Sequence, residues 1–499
     1  MNPGSGNRLF KLLKNILDPI GRRVAGPYAD KFSSLLHVAS SKMNSNSTNG
    51  KSARAAVLVF IVRIISAFLA FILQVFLARW MGSEQYGIFV LVWVVTVMLG
   101  AMSCLGLQTA VIRFITEYRT KKDIKRLDGV LLAAPSIVVL ISITAAVLIA
   151  VILFLFGDKI TTTNVLPLYI ALVCLPFLAL EEIQEGIARS FDMPLTAIGP
   201  AFVIRPAGII IIIAFAYLLG FPANAITALS SAVIASFFAT LIQSVVLWLK
   251  ISRLHAIKFP IVTLMKALGS NQKTVKFQYR YWISVSLPIF LASGFYSFLF
   301  NSDVVLIGLM LGPDAVAFYY AALKSLALVH FVHFAFRAAS THHFSRFYSD
   351  NDIPGLSDYA NKIARWTFWP TLAIAVIMIL TGKYILMLFG ADFVEAQNLL
   401  IILAIGIVIR ASIGPVDALL AMTGQQSLAM WVLATTLASN IILNVSLIPY
   451  FGIMGAAIAT SCAMLIETTS LYVAVSRKMK IRVFVFQFGS KTIDEGYAT

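Results

Sequence analysis

Five cations interrupt the apolar stretches of this sequence: Arg63, Arg205, Lys324, Arg337 and Arg410. A charge at membrane depth costs on the order of 3 kcal/mol or more unless it meets a cavity or an opposite charge, so each marks a candidate functional site. Arg63 and Arg205 lie about ten residues inside their apolar runs, and Arg337 and Arg410 about six and twelve residues from the ends of theirs. At ~1.5 Å per residue this puts all four in one broad layer. Guanidinium forks gathered around a cavity bind a phosphate or pyrophosphate bidentately. The same arginines could instead pair with the buried acids Glu181, Glu182, Glu185, Asp303, Asp417 and Glu467. Asp417 follows Arg410 by seven residues and is expected on the same helix face. Asp303 and Lys324 are expected at similar depth on adjacent spans.

His330 and His333 are spaced for one helix face, with Arg337 one turn beyond and His342 and His343 further along. Imidazoles in such a row can relay protons, because histidine titrates near neutral pH; packed or interface-facing histidines fit the same spacing. Gly199-Pro200 and Arg205-Pro206 predict a bent or loosened helix around Arg205. No nucleotide-binding loop, zinc-protease motif, hydrolase elbow or Cys/His metal spacing is present, so neither an enzyme nor a resident metal is expected. Cys104, Cys174 and Cys462 each sit in an apolar run and read as small buried hydrophobes.

The elements that must hold these groups are membrane helices. The 499-residue chain is 59% hydrophobic and 12% charged, about half the charge of a soluble protein. Apolar runs predict twelve spans, near 53–79, 86–110, 129–156, 164–188, 195–219, 223–250, 281–311, 315–343, 364–382, 396–422, 428–449 and 453–476. Trp80, Trp248, Trp282, Trp366, Trp369 and Trp431 fall near their ends, where tryptophan prefers the interface; Trp93 does not. Thirty-one of the 39 Lys and Arg then lie on one side and only Arg79, Lys159 and Lys383 on the other. The positive-inside rule places both termini in the cytoplasm. The net charge of +17 is thereby a match for anionic lipid rather than for nucleic acid.

The spans divide into halves. Leu77–Phe89 (LARWMGSEQYGIF) falls on Ile307–Tyr319 (IGLMLGPDAVAFY) at an offset of 230, and the same offset puts Phe221–Ser231 on Phe451–Ser461. An all-α polytopic membrane protein is expected, with about twelve transmembrane helices in two six-helix bundles. An even number of spans per half relates the bundles by a pseudo-two-fold along the membrane normal. The expected organisation is a basic arm at 1–52 with an amphipathic segment at 8–23, bundles at 53–250 and 281–476, a basic connector at 251–280, and a cytoplasmic tail at 477–499.

Ala78–Phe89 (ARWMGSEQYGIF) with Leu105–Phe114 (LGLQTAVIRF) resembles the opening of bacterial polysaccharide flippases, and Asn444–Ser461 (NVSLIPYFGIMGAAIATS) resembles their eleventh-to-twelfth span turn. These are lipid-linked oligosaccharide flippases of the polysaccharide transport family, within the multidrug/oligosaccharidyl-lipid/polysaccharide exporter superfamily. The resemblance implies two bundles around a cationic cavity in a bacterial inner membrane. It also implies alternating access that moves an undecaprenyl-pyrophosphate-linked oligosaccharide for O-antigen, exopolysaccharide or capsule synthesis. Arg63, Arg205, Arg337 and Arg410 are the positions that would meet the pyrophosphate. Multidrug members carry coupling-ion carboxylates on corresponding spans, which points to Asp303 and Asp417 here, with Glu467 a third buried acid. Expected partners are the lipid-linked glycan, membrane lipids and a polymerase or export machinery; no cofactor is expected beyond a coupling H⁺ or Na⁺. The alternative is a drug/cation antiporter of the same superfamily, whose cavity would be acidic or apolar.

Overall fold

A computed structural model describes residues 48–160, 165–255 and 276–487. The amphipathic arm, most of the 251–280 connector and the last residues of the tail lie outside the described residues. The chain divides into two units at Ile64–Ile65. Of the first unit, the described residues open helix α1 (Thr48–Ser103), with Arg63 half-buried. Everything below concerns the second unit.

Among the described residues the regular structure is entirely helical, and the chain is a multi-pass membrane protein. After α1 come α2 (Leu107–Thr120), α3 (Ile124–Ile160), α4 (Leu166–Ser190), α5 (Pro194–Gly199), α6 (Arg205–Leu218) and α7 (Ala225–His255). The second half holds α8 (Tyr279–Met310), α9 (Pro313–Ser325), α10 (Ala327–Ser349), α11 (Ile353–Met387), α12 (Gln397–Ala411), α13 (Val416–Met422), α14 (Gln426–Phe451) and α15 (Ile453–Met479). Ten helical stretches among the described residues are long and apolar enough to span a membrane, and α9 with α10, bent by 48°, makes an eleventh. One stretch, Val62–Thr120, runs 59 residues. At ~1.5 Å per residue that is nearly three bilayer cores, so it must turn back. It does so at Gly82, whose φ of 77° and ψ of 174° leave the helix, and this restores the count of twelve crossings.

Gly312, 230 residues on, adopts the same backbone, φ 90° and ψ −177°. Positive φ with extended ψ is essentially reserved for glycine, so the repeat visible in sequence is a repeated turn in space. Helix pairing follows the two halves: α4 packs on α2, α3 and α7, while α15 packs on α12 and α14.

Three helices break where their sequences allow. Gly199-Pro200 opens a π-turn over Pro200–Ile204, from which α6 starts at Arg205. Leu326 separates α9 from α10. Gly414 (φ 62°) and Pro415 separate α12 from α13, and a Cβ on Gly414 would lie 2.8 Å from the Ala364 Cα. This last break corrects an expectation: Arg410 and Asp417 do not share one helix face, because the chain turns between them.

The halves meet at both ends of the bundle. At the Gly82/Gly312 end, Arg79 donates to the Leu388 and Met387 carbonyls at 2.5 and 3.0 Å, at the C-terminal end of α11. Phe393 is ringed there by Tyr86, Phe318 and Phe389, at centroid distances of 5.2–6.1 Å, and Gly87 lets α1 approach the Pro313 backbone. At the opposite, basic end, α2 lies on the start of α8: Trp282 donates to the Tyr118 hydroxyl at 3.1 Å and Tyr281 to Glu117 at 3.0 Å. The segment 113–127, between the second and third expected spans, is thus largely the amphipathic helix α2, burying Phe114, Ile115 and Tyr118 and exposing Arg113 and Thr116.

The described part of the expected tail is packed as well. Ile481, Val483 and Val485 are buried in alternation with exposed residues. Asn361 donates to the Arg482 carbonyl and accepts from the Phe484 amide, both at 3.0 Å, and the Val485 amide reaches the Ser412 carbonyl at 2.9 Å. An extended strap therefore ties α11 to the α12–α13 break.

Candidate functional site

The breaks deliver the charged residues. Arg205 stands at the start of α6, just past the π-turn, and its Nη1 bonds to Glu181 Oε2 of α4 at 2.7 Å. Trp93 of α1 lies 5.6 Å from the guanidinium, ring centroid to Cζ. That contact accounts for the one tryptophan that avoids the interface: the indole face stabilises a cation where water is scarce. Glu182 and Glu185 feel the same cluster, and Glu185 is held by Arg189 one turn on. The other oxygen of Glu181 is buried without a partner among the described residues.

The second half carries a larger cluster. Arg410, last but one in α12, bonds to Glu467 of α15 at 2.9 Å; the two side chains are 12% and 5% exposed. Arg337 of α10 bonds to Asp417 of α13 at 3.0 Å, with the arginine 38% exposed. Tyr296 of α8 lies near enough to interact with all four of these groups, and His333 sits within reach of Arg410, Asp417 and Arg337. Each arginine is oriented by one carboxylate bond, and a guanidinium carries five N–H donors, so donors remain for a second anion.

Of the four arginines expected in one layer, Arg337 and Arg410 fall in one cluster in the second half, Arg205 forms another in the first half, and Arg63 belongs to the first unit. Lys324 does not meet Asp303; its ammonium lies 4.7 Å from the Tyr320 ring centroid.

Asp303 occupies a third kind of site. It is buried in α8 and accepts from Asn444 at 2.8 Å, Thr460 at 2.8 Å and Tyr319 at 3.0 Å, all neutral donors. Asn440 joins through Ser302 at 3.1 Å, and the Asn444 side-chain oxygen is left without a partner among the described residues. Carboxylate, amide and hydroxyl oxygens converge here with no arginine among the named contacts. The geometry thus separates the three acids: Asp417 and Glu467 are tied to arginines, Asp303 to neutral groups. The sequence reading missed Tyr319, Asn440, Asn444 and Thr460; the signal was Asn440 and Asn444 one turn apart inside an apolar helix.

Comparison with known proteins places this arrangement. Residues 52–341 match the family model described as polysaccharide biosynthesis protein, and residues 288–446 match the MatE model. The chain is 26% identical over 459 residues to the probable low-salt glycan biosynthesis flippase Agl15 of Haloferax volcanii, covering 88% of this chain and 87% of that one. Its fold is similar to a multidrug resistance MATE family transporter of the MOP superfamily in an inward-facing conformation, with a TM-score of 0.68 at 14% identity over 84% of this chain and 98% of the other. It is similar also to the lipid II flippase MurJ in an inward closed conformation, with a TM-score of 0.65 at 16% identity over 84% and 87%.

Proposed function

The chain belongs to the polysaccharide biosynthesis protein family, and from that premise we propose that it flips a lipid-linked oligosaccharide between membrane leaflets. The observation that carries this reading is the pair of guanidinium–carboxylate clusters, one in each half, at membrane depth. Charges so expensive to bury belong where an anionic group is to be received. The carrier lipid is a polyprenyl pyrophosphate, undecaprenyl in a bacterial inner membrane, and the glycan is a surface-polysaccharide repeat unit. The relative from Haloferax volcanii, named a probable glycan biosynthesis flippase, supports the substrate class.

The strongly one-sided distribution of Lys and Arg supports cytoplasmic termini, with the Gly82/Gly312 end outward. In this state the outer end is closed by Arg79 and the aromatic ring around Phe393. Arg337, the most exposed of Arg205, Arg337 and Arg410, meets the pyrophosphate first; Arg410 and Arg205 take it as their carboxylates yield. The halves then rock about the two glycine turns, and the oxygen set around Asp303 takes up a coupling H⁺ or Na⁺ whose binding energy differs between states. A polymerase or export machine would receive the delivered unit.

The test is transport in proteoliposomes of a labelled polyprenyl-pyrophosphate oligosaccharide by the wild type, Arg205→Ala, Arg337→Ala and Arg410→Ala. Transport that falls at least tenfold in folded variants supports the reading. Absence of glycan transport by the wild type, together with gradient-driven efflux of a cationic dye, overturns it in favour of the drug antiporter.

A further inference from the structure

A groove of about 490 Å³ lies on the outside of the second half, between the first turns of α14 and the last turns of α15. Leu428, Val432 and Val473 form its walls, Trp431 stands beside it 65% exposed, and Arg477 and Lys478 close the mouth. It is not part of the charged cluster. Along α15, Thr469, Val473 and Arg477 face outward, while Glu467, Leu471 and Val475 are buried on the other side. The groove therefore opens toward the bilayer, at the basic end of the bundle.

We propose that this groove holds an anionic phospholipid, acyl chains against the valine wall and phosphate between Arg477 and Lys478. Three features point to that occupant over any other. The volume falls in the range of ligand sites, roughly 300–1,000 Å³. Its apolar walls lie at acyl depth below two cations at headgroup depth, the charge pattern of an acidic lipid and the wrong one for a zwitterion. Trp431 supplies the interfacial ring that fixes the depth of the headgroup. Threonine hydroxyls at the bottom, Thr435 and Thr469, are satisfied by their own helix carbonyls and ask for no polar ligand there. The site needs nothing from the flippase reading and stands or falls separately.

Trp431 is also the reporter. The full-length protein is reconstituted with either dibromo-phosphatidylglycerol or dibromo-phosphatidylcholine at equal mole fraction, and the fluorescence difference between wild type and Trp431→Phe isolates quenching at the groove. Two surface cations support up to about thirty-fold preference for an anionic lipid. The expected result is at least fivefold stronger quenching by the glycerol lipid, lost in Arg477→Gln/Lys478→Gln. Val473→Trp, which fills the groove and keeps the charges, is read instead by co-purified phosphatidylglycerol, which should fall to the level of the double variant. Equal quenching by both lipids overturns the proposal, as does a preference that survives the double variant. Displacement of the brominated glycerol lipid by equimolar polyprenyl phosphate also overturns it, and would assign the groove to the carrier.

Discussion

If Glu467 competes with the substrate for Arg410, neutralising it should tighten binding and slow transport. The Arg410–Glu467 bond is 2.9 Å long and both side chains are nearly sequestered, so the charged carboxylate holds the guanidinium strongly. A hydrogen bond to a charged group is worth about 1.5–3 kcal/mol net and a neutral one about 0.5–1.5 kcal/mol. Glu467→Gln keeps an acceptor of the same shape and a charged donor but removes the carboxylate charge, which weakens the bond by about 1–2 kcal/mol. A pyrophosphate that must displace the carboxylate then binds ~5–30-fold more tightly. The unliganded protein loses stability, because removing one member of a buried pair costs up to ~3–5 kcal/mol. Asp417, which also acts on Arg410, and the retained glutamine acceptor reduce that loss. The measurement is calorimetric titration of a short polyprenyl pyrophosphate into the full chain in nanodiscs, for wild type, Glu467→Gln, Arg410→Gln and the double variant. Tighter binding in Glu467→Gln that vanishes in the double variant is the expected pattern, with turnover falling as release slows. Unchanged or weaker binding in a folded Glu467→Gln protein would refute the competition and leave the pair a structural one.

Three other outcomes follow from the packing. Gly87→Ala drives a methyl into the Pro313 carbonyl group, backbone that has no rotamer to yield; overpacking of ~1–3 kcal/mol or more should favour states open at that end. A cysteine placed at Phe393 then reacts faster with an impermeant maleimide, and an unchanged rate shows that the contact does not part during transport. Asn361→Ala removes two hydrogen bonds to the strap, ~1–3 kcal/mol together, and should speed tryptic cleavage after Arg482 in the purified protein. Equal cleavage would mean that the buried Ile481, Val483 and Val485 suffice to hold it. Asp303→Asn should abolish any dependence of transport on a Na⁺ or H⁺ gradient while leaving pyrophosphate affinity within about twofold; a gradient dependence equal to wild type places the coupling site elsewhere.

What could be read from the sequence and what could not divides along physical lines. The twelve crossings and the paired turns were legible because hydrophobic length and glycine both act locally: a bilayer demands a long apolar run, and a φ of 77° or 90° demands glycine at Gly82 and Gly312. The loosened helix at Gly199-Pro200 was legible for the same reason. The partners of the arginines were not, because pairing joins residues 24, 57 and 80 positions apart and depends on how each helix is rotated. Gly414-Pro415 shows the difficulty: after a break of a few residues Asp417 bonds to Arg337 rather than to Arg410, so a same-face argument fails wherever the helix is interrupted between the two residues. The Asp303 set was hidden for a further reason. Its partners are neutral, and single Asn, Thr and Tyr residues in apolar helices carry little cost that marks them. In this fold the arginines announce themselves by the cost of burying them, whereas Asp303 is held by neutral neighbours that leave no such mark in the sequence.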